Sequence, residues 1–185
     1  GDRVQVTGHI AAGHRLFGED AAERVRQIEA APPIEQTGNV IRIGDTTNDP
    51  HYRDISISYE LSVPANTQVT SRTGSGDQMI GSINGAVLAR TGSGDIHIER
   101  AGGGLDARTG SGDIRASAVG GAISAQTGSG DIDVAQAARA DVEARTGSGD
   151  VMLSLPADAA FALSARTGSG SIEASQPVQV EGKRR

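Results

Sequence analysis

A chain of 185 residues is enough for one sizeable domain, or one domain with a small cap, and its formal charge of −6 gives no broad attraction to nucleic acid or anionic lipid. Aromatic residues make up only 2% while Gly fills 26 positions, which disfavours a wide globular core and favours a narrow one of Ile, Val, Leu and Ala. No apolar run reaches bilayer length, and the absence of Cys fits an oxidising compartment without demanding one.

The chain opens at Gly1-Asp2 without a signal-peptide pattern, directly before the strand-like Val4-Gln5-Val6. This predicts either an intracellular protein or a processed start whose targeting segment lies outside the sequence. Asp20-Ala21-Ala22-Glu23 has capping-box spacing and precedes a helical pattern in which Ala21, Val25 and Ile28 share a face, with Phe17 nearby. Pro32-Pro33 stops that helix. Val40, Ile41 and Ile43 begin a strand, and Ile55, Ile57, Tyr59, Leu61 and Val63 form a long alternating one. Residues 1–63 are thus expected to make a strand–helix–strand cap and the first strands, covering the first coil of a repeat array. Pro64-Ala65-Asn66 and Pro156-Ala157-Asp158 mark wider turns.

From residue 64 to 182 one phrase dominates. T-G-S-G begins at Thr73, Thr91, Thr109, Thr127, Thr146 and Thr167, at spacings of 18, 18, 18, 19 and 21 residues. A unit this short cannot bury an apolar face alone, so copies must stack. In the unit from Thr91, Ile96 and Ile98 alternate with His97 and Glu99; nine residues on, Leu105 and Ala107 alternate with Asp106 and Arg108. Ile114 and Ala116, Ile123 and Ala125, Ile132 and Val134, and Val142 and Ala144 repeat the pattern. The fold class predicted is all-β: a parallel β-solenoid, or β-helix, with coils of about 18 residues, each holding two short strands and two turns.

The corners are assigned to the glycines Gly74 and Gly76, Gly92 and Gly94, Gly110 and Gly112, Gly128 and Gly130, Gly147 and Gly149, and Gly168 and Gly170. Either Gly of a pair, as at Gly92 and Gly94, suits a positive φ and a close approach of coils. Gly102-Gly103-Gly104 and Gly120-Gly121 serve the opposite corner. An antiparallel meander with Gly-rich turns is the structural rival. The recurrence of near-identical turns and of unequal apolar sizes in the two strands favours stacking. At the far end Ser171 replaces the expected Asp and Pro177 interrupts the pattern, as suits a terminal coil; Lys183-Arg184-Arg185 reads as a tail at 183–185.

Asp77, Asp95, Asp113, Asp131 and Asp150 should form a ladder beside the Gly turn. Calcium is one candidate for it, but the nonapeptide G-G-x-G-x-D-x-U-x is absent and one regular carboxylate per unit falls short of six to eight oxygens. Arg72, Arg90, Arg108, Arg145 and Arg166, with Gln126 in the remaining place, lie just before the turns. Arg90 and Asp95 flank the same T-G-S-G, so the two ladders are expected to offset one another without a metal. Neither a metal nor another cofactor is predicted. The Thr sit in Gly corners rather than on a broad T-x-T face, against an ice-binding role. A Ser copied six times is no unique nucleophile, and G-S-G-D lacks the Lys of a phosphate loop. His9, His14, His51 and His97 are scattered, with His97 expected in solvent.

The repeated G-S-G-D-[IV] phrases through residues 73–174, the V-P-A-N-T-x-V phrase at Val63–Val69, and the Val4-to-Gly8 and Gly38-Asn39-Val40 strands resemble the bacterial DUF4097 family, often labelled adhesins. The resemblance implies a β-strand-repeat solenoid, frequently exported or anchored at the cell envelope, and supplies no catalytic residues. The leading functional expectation is a non-enzymatic envelope scaffold or adhesin-like domain whose polar face meets a protein or glycan, with self-association through the coil ends and membrane contact only through a segment outside this sequence. The alternative is a solenoid carbohydrate-active enzyme using the outward acids Glu99, Asp106, Asp133, Asp141 and Glu143; it wants an acid pair in an aromatic-lined groove, which two Phe and two Tyr serve poorly.

Overall fold

The computed structural model describes residues 3–12, 19–44, 52, 55–157 and 162–175, which fall into two compact units, Gly1–Val63 and Pro64–Arg185. In the first unit, β1 (Gln5–Ala12) runs antiparallel to β4 (Ile55–Ser62), from Gln5 opposite Ser62 to Ala12 opposite Ile55. Ile55, Ile57 and Tyr59 are half-buried between exposed Ser56, Ser58 and Glu60, the alternation expected of this strand. Leu61, expected on the same face, is exposed. Helix α1 (Glu19–Ala30) packs on β1 and buries Ile28, and Pro32 and Pro33 follow its end. The helix starts one residue before Asp20, so that residue lies inside the first turn; its side chain, that of Ala21, and all of Phe17 fall outside the described residues. Strands β2 (Ile34–Thr37) and β3 (Val40–Ile43) pair across Gly38-Asn39, with Gly38 at φ +59°. All four β2 residues are exposed, which leaves no burial alternation to announce the strand in the sequence.

The second unit is a parallel β-solenoid. One six-stranded sheet contains β5 (Val69–Ser75), β7 (Val87–Ser93), β9 (Leu105–Ser111), β11 (Ile123–Ser129), β13 (Val142–Ser148) and β15 (Leu163–Ser169). The other contains β6 (Gln78–Ile83), β8 (Ile96–Ala101), β10 (Ile114–Val119), β12 (Ile132–Gln136), β14 (Val151–Ser154) and β16 (Ile172–Ala174). Every neighbour in a sheet is the next strand but one in the chain and runs parallel, which rules out the meander. Each coil gives one strand to each sheet.

The residue pattern accounts for the packing. Inward positions of the first sheet hold Val87, Ala89 and Thr91, then Leu105, Ala107 and Thr109, then Ile123, Ala125 and Thr127, all buried. The second sheet supplies the larger residues: Ile96, Ile98, Ile114, Ile132 and Leu153 are less than 2% exposed. Burying one such side chain contributes about 1.5–3 kcal/mol, and its partners lie largely on adjacent rungs, so the stabilisation belongs to the stack rather than to a coil.

In the second sheet two polar residues occupy buried inward positions. Gln78 stands where later coils carry Ile96, Ile114 and Ile132, and its Nε2 donates to Arg90 O at 2.6 Å. Gln136 pairs with Val119 after a bulge that sets Ser117 and Ala118 against Ala135, and its Nε2 donates to Ala140 O at 2.6 Å.

The two corners of a coil behave differently. From each Thr of T-G-S-G to the first residue of the following strand the count is constant, as in Thr91 to Ile96 and Thr146 to Val151. The departures from 18 residues fall at the opposite corner, in 137–141 and 155–162. One corner is held to a fixed length and the other tolerates insertion.

Candidate functional site

The fixed corner carries three residue rows in register. The first is Thr73, Thr91, Thr109, Thr127, Thr146 and Thr167. These residues lie inside strands rather than at the turn, and the four central ones are buried at 6–7% exposure. The Oγ1 of Thr91, Thr109, Thr127, Thr146 and Thr167 donates to the carbonyl of Gly76, Gly94, Gly112, Gly130 and Gly149 in the preceding coil, at 3.2, 3.0, 2.9, 2.9 and 2.9 Å. A hydroxyl placed in the core is satisfied there by the neighbouring rung.

The glycine pairs divide the two properties assigned to both. Only the second member has a positive φ: Gly76, Gly94, Gly112, Gly130, Gly149 and Gly170 lie between +136° and +144° and make the corner. The first members, Gly74, Gly92, Gly110, Gly128, Gly147 and Gly168, sit within strands. Their requirement is space. A Cβ on Gly110 would lie 2.5 Å from Gly92 O, and the same distance separates Gly128 from Gly110 O and Gly147 from Gly128 O.

The third row is the carboxylate ladder, and its chemistry corrects the expected pairing with Arg. Asp77 Oδ1 accepts from the Asp95 amide at 2.9 Å; Asp95, Asp113 and Asp131 accept from the amides of Asp113, Asp131 and Asp150, each at 2.8 Å. Asp150 accepts from both the amide and the hydroxyl of Ser171, at 2.7 and 2.9 Å. The backbone hydrogen bond from Ser171, followed by its hydroxyl, holds the Asp150 carboxyl below its ordinary pKa. An amide dipole thus stands between successive carboxylates. Ser171 ends the ladder because its side chain carries no carboxylate.

Arg90 meets Asp106 at 3.4 Å instead of Asp95. Arg108 also pairs with Asp106, at 3.0 Å, and Arg145 pairs with Glu143. Arg115 reaches Asp113 at 2.7 Å from the second sheet. Along the outer face of the first sheet, Arg72, Arg90, Arg108, Gln126, Arg145 and Arg166 are direct lateral neighbours. The outward placement of this row is legible in the sequence from the inward Ala89 beside Arg90; what misleads is that Arg90 and Asp95 flank the same turn and suggest that the two rows pair.

Among the outward acids, Glu99 accepts from Ser82 Oγ at 3.5 Å and Asp141 accepts from the Ala162 amide at 3.1 Å. Asp141 and Glu143 line a shallow open depression of about 340 Å³ with Ser124, Ser164 and aliphatic neighbours, and no aromatic side chain is among its lining residues. His97 is exposed; His14 and His51 lie outside the described residues. No three His, Asp or Glu side chains gather as a metal site among the described residues, and no described helix is long and apolar enough to cross a membrane.

Comparison with curated proteins and with solved structures finds no match. A family model, Toastrack DUF4097, matches residues 54–185, a span that holds β4 and every coil of the solenoid. Toastrack domains are typically extracytoplasmic. With its G-S-G-D corners stacked in register over the matched span, the chain belongs to the DUF4097 family.

Proposed function

We propose that this protein is a non-enzymatic, extracytoplasmic scaffold of the bacterial cell envelope that uses an outer sheet face to hold a ligand there. One observation carries the reading: the reactive groups repeated in every coil are bonded to the next or preceding coil. Five Thr hydroxyls donate to backbone carbonyls, and five Asp carboxylates accept backbone amides. Residues used in this way build a rod and are not poised to transfer protons or attack a substrate. Two of the acids nominated for catalysis are likewise engaged, Asp106 by two Arg and Glu143 by one. The family match and its usual extracytoplasmic setting support the location.

The test is retention of the purified chain on isolated bacterial envelope fractions, scored against cytosolic fractions and a control of equal charge. Selective retention is the expected result. Equal retention on both fractions, or turnover of a glycan by the chain, overturns the scaffold reading.

A further inference from the structure

We propose that the outer face of the first sheet binds a linear anionic glycan, its carboxylates meeting the row Arg72, Arg90, Arg108, Gln126, Arg145 and Arg166. The inference names a ligand for the scaffold reading and rests on it. Five guanidiniums stand in register on adjacent parallel strands, at a rung spacing of about 4.8 Å. Like charges directly opposite one another on neighbouring strands destabilise a sheet. The fold does not need them: Gln126 fills the same position between Arg108 and Arg145 with the pairing unbroken on both sides.

The cations are only partly neutralised. Asp106 and Glu143 are the acids that pair with the row, against five Arg. Arg72 and Arg166, at its two ends, are exposed and have no ionic or hydrogen-bonding partner among the described residues. Arg90 Nε and Arg145 Nε are shielded from solvent yet have no acceptor. Arg108 and Arg145 keep more than two-fifths of their side-chain surface in solvent. A planar guanidinium with unspent N–H donors is suited to a carboxylate.

Width and charge choose the polymer. On the corner side of the Arg row the strands carry only Gly92, Gly110, Gly128 and their equivalents, so a ligand can lie against bare backbone there, while on the other side runs the row Leu88, Asp106, Ser124, Glu143 and Ser164. Beyond that track comes the Asp ladder, on the order of 10–15 Å from the Arg row by strand rise. A nucleic-acid duplex would overlap those carboxylates; a single extended polysaccharide would not. An extended uronic-acid chain carries one carboxylate per sugar on a backbone that twists about its axis, so the carboxylates on one side of it meet the Arg row while the others face solvent.

The experiment is calorimetric titration of the full chain with an oligogalacturonate of about eight sugars, its methyl-esterified form, and inorganic polyphosphate of similar length. The acidic glycan is expected to bind at least tenfold more tightly than either comparator. Raising NaCl from about 50 to 200 mM should weaken it about tenfold, as for displacement of about two counterions. R72Q/R166Q should weaken binding about fivefold, two exposed charge contacts, with the urea unfolding midpoint unchanged, and D77N should not weaken it. Equal binding of the esterified form, tighter binding of polyphosphate, or an unaffected R72Q/R166Q variant overturns the proposal. If the acidic glycan fails while envelope material is still retained, this inference alone falls; if both fail, the scaffold reading falls with it.

Discussion

Replacing Gly128 by Ala isolates the role of the side-chain-free track, because the same change at Gly74 has no neighbour to strike. At Gly128 the new Cβ meets Gly110 O at 2.5 Å, whereas at Gly74 nothing lies within 4 Å. Ordinary carbon-to-oxygen contact begins near ~3.3 Å, so the rungs must part by about 0.8 Å. The bond from Gly112 N to Ser129 O, now 2.9 Å, joins those two coils; opening it by that amount takes it past hydrogen-bonding range. The Thr127 Oγ1 to Gly112 O bond at 2.9 Å spans the same gap. Loss of one to three such bonds costs about 1–3 kcal/mol, and overpacking adds about 1–3 kcal/mol. Reduced unfolded-chain entropy returns about 0.5–1 kcal/mol. The net expectation for G128A is destabilisation by about 2–4 kcal/mol, against no loss or a small gain for G74A. Urea unfolding followed by far-UV circular dichroism measures both, and G128A should unfold about 1–2 M earlier. Equal midpoints for the two variants would refute steric contact as the reason for this Gly row.

D113A removes the acceptor of the Asp131 amide and the partner of Arg115, and should destabilise by about 1–2 kcal/mol; D113N, which keeps an oxygen in place, should lose less than half as much in the same urea assay. T127V exchanges a buried hydroxyl for a methyl and leaves Gly112 O without that donor, so a loss of about 1–3 kcal/mol is expected in thermal unfolding, with T127S closer to wild type. Asp150 has a depressed folded-state pKa, so its contribution is fully present above the ordinary Asp pKa and disappears as pH falls through the lower folded value. Urea midpoints measured from pH 6 downwards should therefore fall less steeply in D150N than in wild type, and identical slopes would contradict the assigned Ser171 hydrogen bonds.

The solenoid was legible because two independent periods coincide: apolar alternation within strands, as at Ile96 and Ile98, and recurrence of T-G-S-G near 18 residues. Together they specify both burial and stacking. What escaped was the assignment of tasks within the phrase. Thr109 and Gly110 read as turn residues by type, yet they end a strand, since the register needs a small inward hydroxyl and an outward vacancy. Composition alone cannot separate a Gly kept for positive φ, such as Gly130 at +138°, from one kept for clearance, such as Gly128. Gln136 continues the inward alternation of Ile132 and Val134, but its polar type hides that role, and the bulge that brings Val119 opposite it lies in the neighbouring strand.

The Asp and Arg rows recur with similar fidelity, and the structure separates the causes of that repetition. Each ladder Asp accepts an amide of the next rung, so stacking itself demands a short acceptor at that place; in the last described rung Ser171 stands there and donates to Asp150. No comparable backbone demand fixes the Arg side chains, which point away from the core and exchange freely with Gln126. Periodicity in the first row follows from how coils join. Periodicity in the second adds repulsion between rungs without adding a bond common to them, and a surface ligand that pairs with several guanidiniums at once would remove that repulsion on binding. The fixed-length corner then has a second consequence. Because insertions are confined to the opposite corner, every Arg keeps its lateral neighbour even where a coil grows to 21 residues, as between Arg145 and Arg166.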